Sequence, residues 1–223
     1  MIVVIDGPAG AGKSTAARRV ARRLGAGYLD TGAMYRALTW LAAESGVDPS
    51  DADALTDLAE RHQVRIAPGE HGDRITIGGR DVTDAIRVPA VTAALSEVSS
   101  HRGVRERMVA AQRDVARTGD WVADGRDLAS TVWPEADLKV FLTATAEVRA
   151  GRRCEELRAR GEDVDPADVL ADVRRRDHFD STRAISPLRV AEGAVLVDSS
   201  ELSAAAVVDR IVEMAAAVRA GSR

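Results

Sequence analysis

The stretch Ile2-Val3-Val4-Ile5-Asp6-Gly7-Pro8-Ala9-Gly10-Ala11-Gly12-Lys13-Ser14 decides the fold. Ile2 to Ile5 is a β-branched apolar run too short for a helix, so it reads as a buried strand. Gly7, Gly10 and Gly12 break that run, and good helix formers then continue to Leu24, with Gly25 as a stop. Gly7, Pro8, Ala9, Gly10, Ala11, Gly12, Lys13 and Ser14 fit GxxxxGK[ST] in the place the motif requires, between a strand and a helix. Glycines let backbone N–H groups curl around phosphate oxygens, and the helix N-terminus adds its dipole. Lys13 is expected to reach the outer phosphates as a point charge, and the Ser14 hydroxyl to ligate Mg²⁺. The loop therefore predicts a bound nucleoside triphosphate with magnesium.

Outward from the loop, a short strand or bend at Tyr28-Leu29-Asp30 leads to helices near 31–44 and 51–61. From Gln63 to about Asp84 the texture changes. Val64-Arg65-Ile66 and Arg74-Ile75-Thr76-Ile77 alternate apolar and polar residues around turn signals, which predicts a small antiparallel insertion. Helical stretches near 88–98 and 104–117 follow, then short apolar runs at 121–123, 138–142 and 195–197. Residues 146–181 read as helix, dense in arginine and interrupted at 161–166, and a last helix spans about 203–219. Short buried strands alternating with helices predict an α/β fold with a parallel sheet.

The composition removes several function classes. Of 223 residues 30% are charged and 45% hydrophobic, yet only seven are aromatic. No run approaches the roughly 18 to 20 apolar residues of a membrane span. The opening MIVVIDG carries neither a basic leader nor an apolar region of signal length, so the reading expects a cytoplasmic protein without a membrane partner. Cys154 is the one cysteine, and no Cys/His spacing suits a metal. A formal net charge of −4 argues against general nucleic-acid binding.

Among the 31 basic residues only Lys13 and Lys139 are lysines. The arginine excess becomes informative where forked donors are needed. Asp124-Gly125-Arg126-Asp127 follows the strand at 121–123, so it is expected at the carboxyl end of the sheet beside the phosphate loop. There Asp124 would orient magnesium or its waters, and Arg126 would grip a phosphate. Arg176, Asp180 and Arg183 are spaced to share one helix face, as are Arg149, Arg152 and Arg153, while Arg158 and Arg160 flank Gly161. Singly these read as solvated, salt-bridged arginines; together, around a glycine-bounded break, they suit a lid closing over phosphates. The phosphate loop alone leaves the acceptor open. A switch GTPase needs a base-reading NKxD segment, and Lys139 is followed by Val-Phe-Leu. Kinases for UMP or AMP, and a regulatory or nucleic-acid-stimulated ATPase, stay open on the residues alone.

Five segments carry a resemblance to bacterial cytidylate kinases, a P-loop nucleoside monophosphate kinase family. They are IDGPAGAGKST from Ile5, LDTGAMYR from Leu29, ADGRD from Ala123, RRRDHFDSTRAISPL from Arg174 and VLVDSS from Val195. They run in order along nearly the whole chain. The resemblance implies ATP as phosphoryl donor, CMP and dCMP as acceptors, Mg²⁺ as cofactor, and a monomer. It implies one kinase domain over 1–223, with a core at about 1–30, 118–150 and 185–223. The acceptor-binding region would be about 31–117 and the arginine-rich lid about 151–184. By residue, it extends the ATP loop to Thr15 and places Arg152 and Arg153 over the donor. Thr31 and Arg36 would contact the acceptor nucleotide, with Arg36 at its phosphate, and Ser96, Arg105 and Asp127 would read the base. Arg126 and Arg183 would clamp phosphate, and Arg176 and Asp180 would contact the sugar. Cytosine offers an amino donor beside N3 and O2 acceptors, which suits a carboxylate paired with an arginine. Ala129 stands where the family pattern has glycine, which points to an altered backbone beside this site.

Overall fold

The computed structural model describes residues 1–69, 72–159 and 161–221; His71 and Arg160 lie outside them. The chain divides into two compact units, residues 1–28 with 119–223, and residues 29–118.

The first unit is built on a five-stranded sheet. Its strands are β1 (Ile2–Asp6), β2 (Gly27–Asp30), which runs across the unit boundary, then β6 (Trp121–Gly125), β7 (Leu138–Thr143) and β8 (Val195–Asp198), numbered with the second unit's three. Their order is β2-β6-β1-β7-β8. β1 is central and pairs in parallel with β6 and β7, while β7 pairs in parallel with β8. A central parallel strand is covered on both faces, which is why Ile2 to Ile5 is apolar without alternation. Helices α1 (Lys13–Leu24) and α8 (Ala204–Gly221) supply part of that cover. Val20 and Ala21 of the first and Val207, Val208 and Ile211 of the last join Val3, Ile5, Val140 and Leu142 in one core. Helices α6 (Ala146–Ala159) and α7 (Pro166–Thr182) pack on each other around the break at Gly161. No described helix is long and apolar enough to cross a membrane.

The second unit contains α2 (Thr31–Glu44), α3 (Ala52–Arg61), α4 (Pro89–Val98) and α5 (Arg102–Val115). Between α3 and α4 lies a three-stranded antiparallel sheet, β3 (Val64–Gly69), β4 (Gly72–Ile77) and β5 (Arg80–Asp81). The alternation in Arg74-Ile75-Thr76-Ile77 has its physical cause here. Ile75 and Ile77 are buried, whereas Arg74 faces out and pairs with Asp81 at 2.7 Å. The fold is the expected α/β arrangement with an antiparallel insertion.

One element had no counterpart among the expectations. Leu128–Val132 is a single π-helical turn, closed by Trp133 N–H donating to the Leu128 carbonyl at 2.8 Å. Such turns give no periodic pattern of their own and are frequent at functional sites.

Candidate active site

At the end of β1 the backbone turns through Gly7, Gly10 and Gly12 with φ of 150°, 76° and 88°. A side chain at Gly7 would place its Cβ 1.9 Å from the Leu142 carbonyl oxygen, so only glycine passes there. The cap position before α1 is Gly12, which offers no side-chain acceptor, and the first turn of the helix carries no acid. The leading N–H groups of a helix have no intrahelical acceptor, and no side chain of this loop neutralises them. The loop is thus a preformed anion cradle.

Lys13 is buried and donates to the Pro8 carbonyl at 2.7 Å. Burial first, and the Arg126 guanidinium second, push its ammonium down to about 7, against the pull of Asp124, Asp6 and Asp180. An anionic ligand would reverse that shift. Ser14 Oγ donates to Asp124 Oδ2 at 2.8 Å, and Tyr28 Oη donates to the other oxygen of the same carboxylate at 2.8 Å. A hydroxyl and a buried carboxylate side by side form a hard-oxygen set suited to Mg²⁺, which takes few protein ligands and completes its shell from waters and phosphates.

The segment after β6 adds Arg126 and Asp127, each paired with a charge from Asp180 or Arg183. Arg126 Nε donates to Asp180 Oδ2 of α7 at 2.9 Å, and Arg183 Nη2 lies 3.7 Å from Asp127 Oδ1. Arg183 Nε also donates to the carbonyl of Ser186 at 2.6 Å, and Ser186 is itself held at a φ of 51°. Arg126, Asp127, Asp180 and Arg183 therefore converge, although 57 positions separate the outermost two in the chain numbering. Asp6 fastens the same segment from the other side, accepting from Leu128 N–H at 2.9 Å and Ala129 N–H at 2.8 Å.

The arginines of α6 divide into distinct roles. Arg149 is buried and is the hub of the region. Its guanidinium donates to the Ala9 and Ala144 carbonyls at 3.1 and 2.9 Å, and to both oxygens of Asp177 at 2.9 and 2.6 Å. Arg152 donates to Ser199 Oγ and to its carbonyl, at 3.1 and 2.7 Å. Arg153 and Arg176 line a cavity of about 320 Å³ between α6 and α7, each paired locally, with Glu156 and Asp172. The face that α6 shows in sequence as three alike arginines thus holds one buried brace, one tether and one solvent-facing residue.

In the second unit, Asp30 caps α2 by accepting from Ala33 N–H at 2.8 Å and also binds Arg36 Nη2 at 3.0 and 3.2 Å. A Cβ at Gly32 would lie 3.2 Å from Asp30 Oδ1 and from Arg36 Nη1, so a side chain there would crowd the pair. Thr31 is buried at the same helix start. Arg105 of α5 is buried, donates to the Ser99 carbonyl at 3.2 Å, and lies over the Tyr35 ring at 5.6 Å. Ser96 is half-buried on α4, where its carbonyl accepts from Ser99 Oγ.

Sequence reasoning missed Asp6, Tyr28, Asp30 and Ser199, and read Arg149 only as one of three alike arginines on a lid face. Asp30 had a usable signal, since an aspartate immediately before a helix is a preferred cap. Asp6 stood inside the quoted motif as an acid closing an apolar strand. Tyr28, Arg149 and Ser199 act through contacts between distant segments, which no local pattern announces.

A parallel sheet, a glycine loop running into a helix, and arginines facing it from a separate helical pair define a P-loop phosphotransferase. One solved structure, an uncharacterised protein from Eubacterium ventriosum, matches with TM-score 0.51 at 12% identity, over 96% of this chain and 97% of that one, which bears on the fold alone. The family model for cytidylate kinase matches residues 3–217. A cytidylate kinase from Mycobacterium avium is 48% identical over 96% of this chain and 94% of its own length. Cytidylate kinases from Rhodococcus opacus and Geobacillus kaustophilus are 50% and 49% identical, each over 95% of this chain, and over 93% and 95% of their own. The chain belongs to the cytidylate kinase family, and it is a kinase.

Proposed function

We propose that the protein transfers the γ-phosphoryl group of ATP to the 5′-phosphate of CMP or dCMP, giving CDP or dCDP and ADP. The observation that carries this reading is the convergence of Lys13, Arg126 and Arg183 on the phosphate loop's unit, with Asp127 beside them. A phosphate acceptor is already an anionic nucleophile, so the protein needs no strong base, and catalysis rests on alignment and charge neutralisation. Residues 7–15 hold the donor phosphates, and Lys13 leaves the Pro8 carbonyl to meet them. Ser14 and Asp124 would hold Mg²⁺, which when bound would supply charge neutralisation at the donor phosphates. Arg126 and Arg183 grip the transferring and accepting groups, with Arg152 and Arg153 on the donor side.

On the acceptor side, Thr31 and Arg36 hold the phosphate end. Ser96, Arg105 and Asp127 read the cytosine, and Arg176 and Asp180 contact the sugar. Residues 31–117 form the acceptor-binding region and 151–184 the lid of one kinase domain, working as a cytoplasmic monomer. Uracil presents a carbonyl where cytosine presents an amino group, which leaves a carboxylate facing oxygen. Mixing the protein with Mg²⁺, ATP and CMP should yield CDP and ADP one for one. ATP consumption without CDP would remove the assignment.

A further inference from the structure

Asp6 has no place in the phosphoryl-transfer scheme above, yet it is an acid buried at the junction of both halves of the chemistry. It ends β1, immediately before Gly7, and lies in register with Gly125 of β6. Its two oxygens take the N–H groups of successive residues, Leu128 to Oδ1 and Ala129 to Oδ2. Those amides open the π-helical turn whose cap position is Asp127. The rest of that turn is closed locally, with Thr131 N–H donating to the Asp127 carbonyl at 2.9 Å. A carboxylate receiving two adjacent amides fixes the peptide planes on which they lie, and so fixes where the preceding residue sits.

The charges around Asp6 show that it is held there at a cost. Burial pushes its carboxyl up to about 6; the Ala129 and Leu128 amides and Lys13 oppose that, and Asp127 adds to it. An apolar residue at the end of β1 would avoid the penalty but would leave two buried amides without acceptors. Ala129 in place of the family's glycine also fits this geometry, since its amide is directed by Asp6 and not by backbone freedom.

We propose that Asp6 is a positioning residue for acceptor selection, setting the place of Asp127 relative to the phosphate loop through the Leu128 and Ala129 amides while touching neither nucleotide. This rests on the reading of Asp127 as the residue that meets the acceptor base. Asn at position 6 keeps one acceptor oxygen and turns an NH₂ group on the other amide, so the clamp loses one arm without loss of volume.

The test is the ratio of kcat/KM for CMP to that for UMP in four proteins: unmodified, Asp6→Asn, Asp127→Ala and the double variant. The ratio should fall about fivefold or more in Asp6→Asn and should not fall further when Asp6→Asn is added to Asp127→Ala. A ratio is independent of the folded fraction, so partial unfolding of the variant does not blur it. If Asp6→Asn fails to fold, Asp6→Glu, which keeps the charge and displaces it by one methylene, carries the same comparison. An unchanged ratio in the folded variant overturns the inference, as does an equal loss with both acceptors, which would assign Asp6 to Lys13 and the donor loop. An unmodified protein that does not prefer CMP over UMP would overturn the acceptor reading itself, and this inference with it.

Discussion

The phosphate loop and the helices of the second unit, which we propose hold the donor and the acceptor phosphates, are organised in different ways. Around the loop nearly every polar group is already committed to another part of the protein. Ser14 is bound to Asp124, Lys13 to the Pro8 carbonyl, Arg149 to Ala9 and Asp177, and Asp6 to two amides. In the second unit the two arginines that we propose meet the acceptor, Arg36 and Arg105, are long side chains on separate helices. Arg36 rests on Asp30 through Nη2, and its buried Nε has no hydrogen-bond partner among the described residues. The first arrangement is a rigid cradle made of backbone, in which placement is set before a ligand arrives. The second depends on side chains, each anchored within its own unit. Changes at Lys13 or in the loop backbone should therefore reduce turnover with every acceptor, whereas changes at Asp127, at Asp6 behind it, and in the second unit should alter affinity and choice.

The largest expected effect is at Lys13. Lys13→Ala removes the mobile charge of the cradle and should lower kcat by about a hundredfold or more with any nucleotide acceptor, as measured by coupled ADP release. Asp127→Ala should lower the CMP/UMP ratio of kcat/KM by about tenfold or more. A uniform loss with both acceptors would move Asp127 to the loop side of the comparison. Asp30→Ala should do two smaller things at once. It removes a helix cap, costing about 1 kcal/mol of stability in a denaturant titration, and it frees Arg36, raising KM for CMP with less change in kcat. The smallest effect is a proton. The free protein holds Lys13 near 7, so at about pH 8 most of it is neutral, and a triphosphate that restores its ordinary basicity must draw a proton from the buffer. Calorimetry of Mg-ATP binding in buffers of different ionisation heat should show net uptake, absent in Lys13→Ala.

The same contrast governs how much could be read from the residues alone. The strand, loop and helix from Ile2 to Leu24 were legible because backbone cradles need glycine at fixed spacing, and that requirement is local. The antiparallel insertion was legible because Ile75 and Ile77 must alternate with Arg74 and Thr76 on a one-sided sheet. The acceptor side has no such grammar. Thr31 and Arg36 sit on one helix and Ser96 and Arg105 on two others, so only likeness to a family singled them out. Arg149 shows the limit most clearly: it resembled Arg152 and Arg153 in spacing, and only the tertiary fold sets it against Asp177 and the Ala9 carbonyl. The π-helical turn at 128–132 escaped notice because its opening amides are held by Asp6, over 120 residues away, and not by a local partner.

The most direct measurement is ADP formation by the unmodified protein with ATP, Mg²⁺ and each of CMP, dCMP, UMP, AMP and GMP in turn. The account predicts rapid turnover with CMP and dCMP, weak turnover with UMP, and little with the purine nucleotides. Preference for UMP or AMP, or ATP hydrolysis at the same rate without any acceptor, would contradict it.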